Sequence, residues 1–326
     1  MVGSVVGKYR VFESIGRGST GTVYRAIDET LHRDVALKAL SAEASDADVV
    51  RRFRAEAVAA ARLNHPGLAT IYELFEHDGH LLMAMEHVRG ETLARLIERT
   101  GPQAPERAAH VCMSCLAALA HAHEMGVVHR DLKPANIMVA ESGSIKIMDF
   151  GIARLIGTER LTKIGFVLGT PAYMAPEQIA GQEVDARADL YSMGVVFYRM
   201  IAGCLPFAGT TPVALLQAQL HDEPTPIGSV RGGLPAWVDR VLNRALQKRP
   251  ENRFQSALEF HDALSRAIAP AAEDARPAAA PREAPDSPEE PSAPLIASAA
   301  GRSRAAPFAA ILALLAIAAA VYLALR

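Results

Sequence analysis

Residues 126–139 read GVVHRDLKPANIMV. Apolar residues frame the stretch, while His129, Arg130, Asp131, Lys133 and Asn136 crowd its centre. A surface turn holds any one of these residues at no cost. Together they set an acid, two cations and an amide within eight positions, between two strand-like runs. Such a group suits chemistry in which charge must be positioned and neutralised at one point.

Upstream, YRVFESIGRGSTGTVYRAID carries Gly16, Gly18 and Gly21 as G-x-G-x-x-G. In a dinucleotide-binding fold the third glycine would open a helix. Here Thr22, Val23 and Tyr24 follow it, and these β-formers suit a returning strand. The glycines are therefore expected in a hairpin turn, where backbone approaches phosphates closely. The Gly-Lys-Ser/Thr of a P-loop does not follow. DVALKAL comes next, with Lys38 as its only cation, and then an Ala- and Arg-rich helical segment carrying Glu56. Taken singly, Lys38 reads as well on the solvent side of a strand, and Glu56 as a surface carboxylate.

With D-F-G at 149–151 and A-P-E at 175–177, five motifs stand in one order: G-R-G-S-T-G-T-V, V-A-L-K, H-R-D-L-K-P-A-N, D-F-G and A-P-E. On them, residues 9–266 resemble a eukaryotic-like (Hanks-type) serine/threonine protein kinase, similar to the membrane-anchored ones of bacteria. The resemblance implies an α+β, bilobal protein-kinase fold over 9–268. A β-rich N-lobe with one main helix would span about 9–87, and a mostly helical C-lobe about 88–268.

The resemblance also implies roles. Asp131 would take or orient the proton of the substrate hydroxyl, and Lys133 would reach the γ-phosphate of ATP. Asn136 and Asp149 would hold Mg²⁺ or Mn²⁺. Lys38 would contact the α- and β-phosphates, braced by Glu56. Ile15, Gly16, Arg17, Gly18 and Gly21 would cover the phosphates. Glu86 and Val88 would meet the adenine edge through their backbone, Val23, Ala36 and Met138 would sandwich the ring, and Met85 would gate the inner pocket. Glu177 would pair with Arg253, and Asp189 would support the catalytic loop from below. Lys133 and the segment GTPAYMAPE at 169–177 resemble the Ser/Thr branch. Thr162 falls where relatives carry an activating phosphate, and Arg130 would grip it. Autophosphorylation in trans, through a transient homodimer, would follow.

The implied activity is transfer of the ATP γ-phosphate to Ser/Thr hydroxyls of protein substrates, in cytoplasmic signalling at the membrane. Two rivals compete with it. A pseudokinase scaffold usually lacks Lys38, Asp131 or Asp149, and all three are present. A small-molecule phosphotransferase of related fold lacks the A-P-E segment and the partner Arg253, and both occur here.

Composition bounds the rest. A net charge of −2 over 326 residues gives no electrostatic case for nucleic acid. Three cysteines point away from a disulfide framework, and the C-x-x-C of Cys112 and Cys115 sits at helical apolar spacing, as buried packing. Proline and alanine dominate 269–304, which reads as a disordered linker. Residues 305–325 carry no charge and match the length of one transmembrane helix. With Arg302 and Arg304 before that run and only Arg326 after it, the expectation is a C-terminal anchor in the inner membrane, the kinase domain cytoplasmic and no sensor domain beyond. Fractionation of cells making the full chain checks this: the protein should pellet with membranes and need detergent for release, and recovery in the soluble fraction would refute the anchor.

Overall fold

The computed structural model describes residues 1–18, 21–40, 47–150 and 171–269, and leaves the side chains of 47–50, 52, 53 and 56 undescribed. Its N-terminal part is an antiparallel sheet of β1 (Val5–Val6), β2 (Tyr9–Gly18), β3 (Gly21–Asp28), β4 (Arg33–Leu40), β5 (Ile71–His77) and β6 (His80–Glu86), with α1 (Ala47–Ala61) between β4 and β5. The strand order is β1-β2-β3-β4-β6-β5. Both faces of its centre are apolar. Val35 and Leu37 pack with Tyr9, Val11, Ala26, Leu82 and Ala84 on one side. Ala36 and Leu40 pack with Met83, Met85 and Ala57 of α1 on the other. Side chains alternate along a strand, so Lys38 shares the face of Ala36 and Leu40 and points under the sheet toward α1.

The β2–β3 hairpin turns at the glycine motif, Gly18 pairing Gly21. Gly21 has φ +145°, and a Cβ there would lie 2.0 Å from the Ala39 carbonyl oxygen. Only glycine fits, which lets β3 run flush against β4.

Below lie a three-stranded sheet, β7 (Gly90–Thr92), β8 (Ile137–Ala140) and β9 (Ile145–Ile147), and the helices α2 (Leu93–Thr100), α3 (Pro105–Glu124), α4 (Pro176–Ile179), α5 (Ala186–Ala202), α6 (Pro212–His221), α7 (Ile227–Val230), α8 (Ala236–Ala245) and α9 (Ala257–Ile268). α5 is buried almost all round, as a central core helix should be. Two polar residues, Asp189 and Ser192, nevertheless lie inside it. On α3, Cys112 and Cys115 are fully buried, and burial pushes the Cys115 thiol up to about 12. That suits inert packing. This architecture is the bilobal protein-kinase fold that the motifs implied.

One ion pair ties the end of the A-P-E motif to the C-terminal helices. Arg253 Nη1 and Nη2 donate to Glu177 Oε1 and Oε2 at 2.7 and 2.8 Å. The remaining guanidinium N–H groups reach the carbonyls of Gln247, Lys248 and Arg187, so all five donors are used. Arg253 is 1% exposed. Attraction in such a site about balances desolvation, but a lone buried charge does not.

Residues 270–326, which include the apolar run and nearly all of the linker, lie outside the described residues. Among the described residues no helix is long and apolar enough to cross a membrane.

Arg253→Met should lower the unfolding free energy by about 3–5 kcal/mol by stranding Glu177, and adding Glu177→Met should restore a substantial part. Urea unfolding of both variants checks this; a double variant less stable than the single one would contradict it.

Candidate active site

The catalytic-loop sequence is built on one buried carboxylate. Asp189 of α5 is fully buried and accepts from the His129 N–H at 2.8 Å, the Arg130 N–H at 2.8 Å and His123 Nε2 at 2.8 Å. Burial opposes its charge. The His123 hydrogen bond, the two nearby imidazoles and the His129 N–H outweigh that, and hold the carboxyl below the usual carboxylate range. The anchor lets Arg130 sit at φ +65°, a left-handed conformation that costs a non-glycine residue about 1–2 kcal/mol.

His129 acts as a two-ended strut. Its Nδ1 accepts from the Asp131 N–H at 3.2 Å, and its Nε2 donates to the Met148 carbonyl at 2.9 Å. Its ring meets that of Phe150 edge-on, centroids 4.7 Å apart. The catalytic loop and the D-F-G motif are thereby fixed to each other.

The chemistry-bearing groups converge above this base. Asp131 Oδ2 accepts from Lys133 Nζ at 2.7 Å and from Asn136 Nδ2 at 3.2 Å, and Asn136 also donates to the Asp131 carbonyl at 2.8 Å. The 3₁₀ turn Pro134–Asn136 makes this possible: with Lys133 extended before it, the chain doubles back within five residues. Met148 N–H donates to the Asn136 carbonyl at 2.8 Å, which brings Asp149 alongside. Asp149, at φ +57°, points Oδ1 at Lys38 Nζ, 2.9 Å away. Lys38 is 2% exposed, so the solvent-side reading of this lysine gives way to a buried one. The Asn136 side-chain oxygen takes no part in these bonds, and Asp149 is a carboxylate. Both are hard oxygen donors of the type that Mg²⁺ takes together with substrate phosphates and water, so the residues fit the metal.

The residues implied to meet the nucleotide lie on several described elements. Ile15, Gly16, Arg17 and Gly18 end β2, and Gly21 and Val23 lie on β3. Val23 packs on the cluster that holds Ala36 and Met85. Met138 lies on β8, opposite Thr92. Val88 is buried just past β6. Met85 lines a small cavity whose other walls include Asp149, Phe150 and Ala60. The Glu86 N–H is committed to the Thr70 carbonyl at 2.8 Å. Glu56 lies on α1, but its side chain, like Gly151 and Thr162, falls outside the described residues.

Three residues near this site carry contacts that the sequence reading passed over. His123 braces Asp189. Lys146 of β9 pairs with the Glu86 carboxylate at 2.9 Å and so ties the start of the hinge to the strand before D-F-G. Gln178 donates to the Arg130 carbonyl at 2.8 Å.

Asp189→Asn keeps the shape but sets an amide NH₂ against backbone N–H groups. It should cost about 2–4 kcal/mol at pH 7, read by urea unfolding. A depressed folded pKa makes the carboxylate's contribution fully present above the unfolded value of about 4, and lost as pH falls through the lower folded value. The gap to wild type should therefore narrow below that pH; a gap that widens there would contradict the assignment.

Comparison with known proteins agrees with this geometry. Residues 9–264 match the family model described as the protein kinase domain. The chain is 42% identical over 266 residues to the serine/threonine-protein kinase PknB of Mycobacterium tuberculosis, covering 79% of this chain and 42% of that one. It is 38% identical over 267 residues to a probable serine/threonine-protein kinase of Clostridium acetobutylicum, covering 81% and 41%. It therefore spans about two-fifths of the length of these curated relatives. The crystal structure of the M. tuberculosis PknI kinase domain superposes with a TM-score of 0.67 at 31% identity, covering 82% of this chain and 98% of that one. The chain belongs to the protein kinase domain family, in its Hanks-type serine/threonine class.

Proposed function

We propose that this protein transfers the γ-phosphate of ATP to serine and threonine hydroxyls of other proteins, and does so at the cytoplasmic face of a membrane to which residues 305–325 anchor it. The observation that carries the catalytic part is the convergence of Asp131, Lys133 and Asn136 with the Lys38–Asp149 pair. In this reading the substrate oxygen bonds to the γ-phosphorus while the β,γ-bridging P–O bond breaks and ADP leaves with the electron pair. The hydroxyl proton passes to Asp131. Lys133, already 2.7 Å from that carboxylate, meets the charge on the transferred group. Lys38 holds the α- and β-phosphates in line. Asn136 and Asp149 would hold the divalent metal, which when bound neutralises charge on the phosphate oxygens.

Regulation is part of the proposal. Thr162 is the autophosphorylation site, modified in trans between anchored molecules, and its phosphate is gripped by Arg130.

Detergent-solubilised full-length protein, given labelled ATP, Mg²⁺ and a generic basic protein, should label that protein. Lys38→Ala and Asp149→Ala should each remove nearly all of the transfer while the fold persists by circular dichroism. Near-wild-type transfer in either variant would overturn the site assignment, and an inert wild type would point to a scaffold. Thr162→Ala should lower the rate at least about tenfold, or about 1.4 kcal/mol of transition-state stabilisation. Full activity in that variant, or an unmodified Thr162 in active enzyme by mass spectrometry, would remove it from the mechanism.

A further inference from the structure

Arg130 is the residue immediately before Asp131, so its two peptide planes set where the Asp131 carboxylate points. The N–H side of Arg130 is held by Asp189 and the Asp131 N–H by His129. The carbonyl of Arg130 accepts from Gln178 Nε2, contributed by α4, 48 residues away in the chain. The other end of the same amide is also used: Gln178 Oε1 accepts from the Ala175 N–H at 2.9 Å. With a carbonyl on one side and an N–H on the other, only one orientation of the amide satisfies both neighbours. The residue before it, Glu177, is clamped by the bidentate bonds of Arg253, so Gln178 rises from a fixed base.

We infer that Gln178 is a positioning residue for phosphate transfer, its amide holding the Arg130 carbonyl and thereby the Asp131 carboxylate in register with the segment that ends in A-P-E. This rests on the proposed kinase reading. Segment 171–177 is itself bolted down. Ser192 of α5 donates to the Tyr173 carbonyl at 2.7 Å, and Gln219 of α6 to the Ala172 carbonyl at 2.5 Å. Gln178 makes the direct bond from this platform to the residue preceding Asp131. A protein substrate seated on the platform is thus held in the same frame as the group that takes its proton.

A competing role is helix capping alone, since Gln178 Oε1 closes the first turn of α4. Gln178→Glu separates the two roles: a carboxylate oxygen still accepts from Ala175, but nothing donates to the Arg130 carbonyl. Gln178→Met removes both bonds and adds no charge. Full-length wild type and both variants, in detergent, are assayed with ATP and a generic basic protein, with thermal unfolding run in parallel. Both variants should lose about tenfold in kcat with the KM for ATP within twofold of wild type. Gln178→Glu should also unfold within a few degrees of wild type. Wild-type kcat in either variant would overturn the inference, as would a kcat that falls only in proportion to lost folded protein. An inactive wild type would instead overturn the kinase reading, which keeps the two failures distinct.

Discussion

The carboxylate of Asp189 is the constraint on which the site depends. A catalytic loop needs its backbone bent into shapes that an unsupported chain avoids, and Arg130 at φ +65° is such a shape. Two consecutive N–H groups aimed at one buried, ionised carboxylate offset that strain. The carboxylate is in turn tolerable inside the core because His123 and the loop satisfy it, and because it rides on α5, whose other side chains are packed on nearly every side. Remove the charge and both the loop and the core lose a partner.

Above that base, the electrostatics follow from placement. Lys38 is a buried cation whose strand register fixes it under the sheet, and Asp149 meets it there. Lys133 and Asn136 share Asp131. Each acid is set beside a cation, Asp149 beside Lys38 and Asp131 beside Lys133, an arrangement that suits phosphoryl transfer: little covalent chemistry, much positioning of charge. β9 is tied to the segments around it. Lys146 bonds the Glu86 side chain, and Ile147 exchanges backbone bonds with Gly67 and Ala69.

What the sequence made legible follows the distance over which each contact runs. The acid, amide and lysine of HRDLKPAN lie within six positions, so their shared purpose shows in the string itself. The glycine hairpin shows through the β-formers after Gly21. The Glu177–Arg253 pair and the Asp189 support needed the family resemblance, because their partners lie 76 and about 60 residues apart. His123, Lys146 and Gln178 escaped because each reads as an ordinary helix or strand surface residue until the fold brings a carboxylate or a carbonyl to it. Lys38 shows the limit of local pattern in the other direction. One lysine in an apolar strand faces solvent more often than not, and only the fold, which brings α1 and Asp149 to that face, buries it.

Amide hydrogen exchange at His129 and Arg130 tests most directly whether Asp189 holds the catalytic loop. The account predicts that both amides exchange only through global unfolding, as slowly as amides inside α5 such as those of Val196 and Phe197. Exchange at the rate of the exposed Ser142–Gly143 turn, with α5 still protected, would show that the loop opens freely from Asp189 and would contradict it.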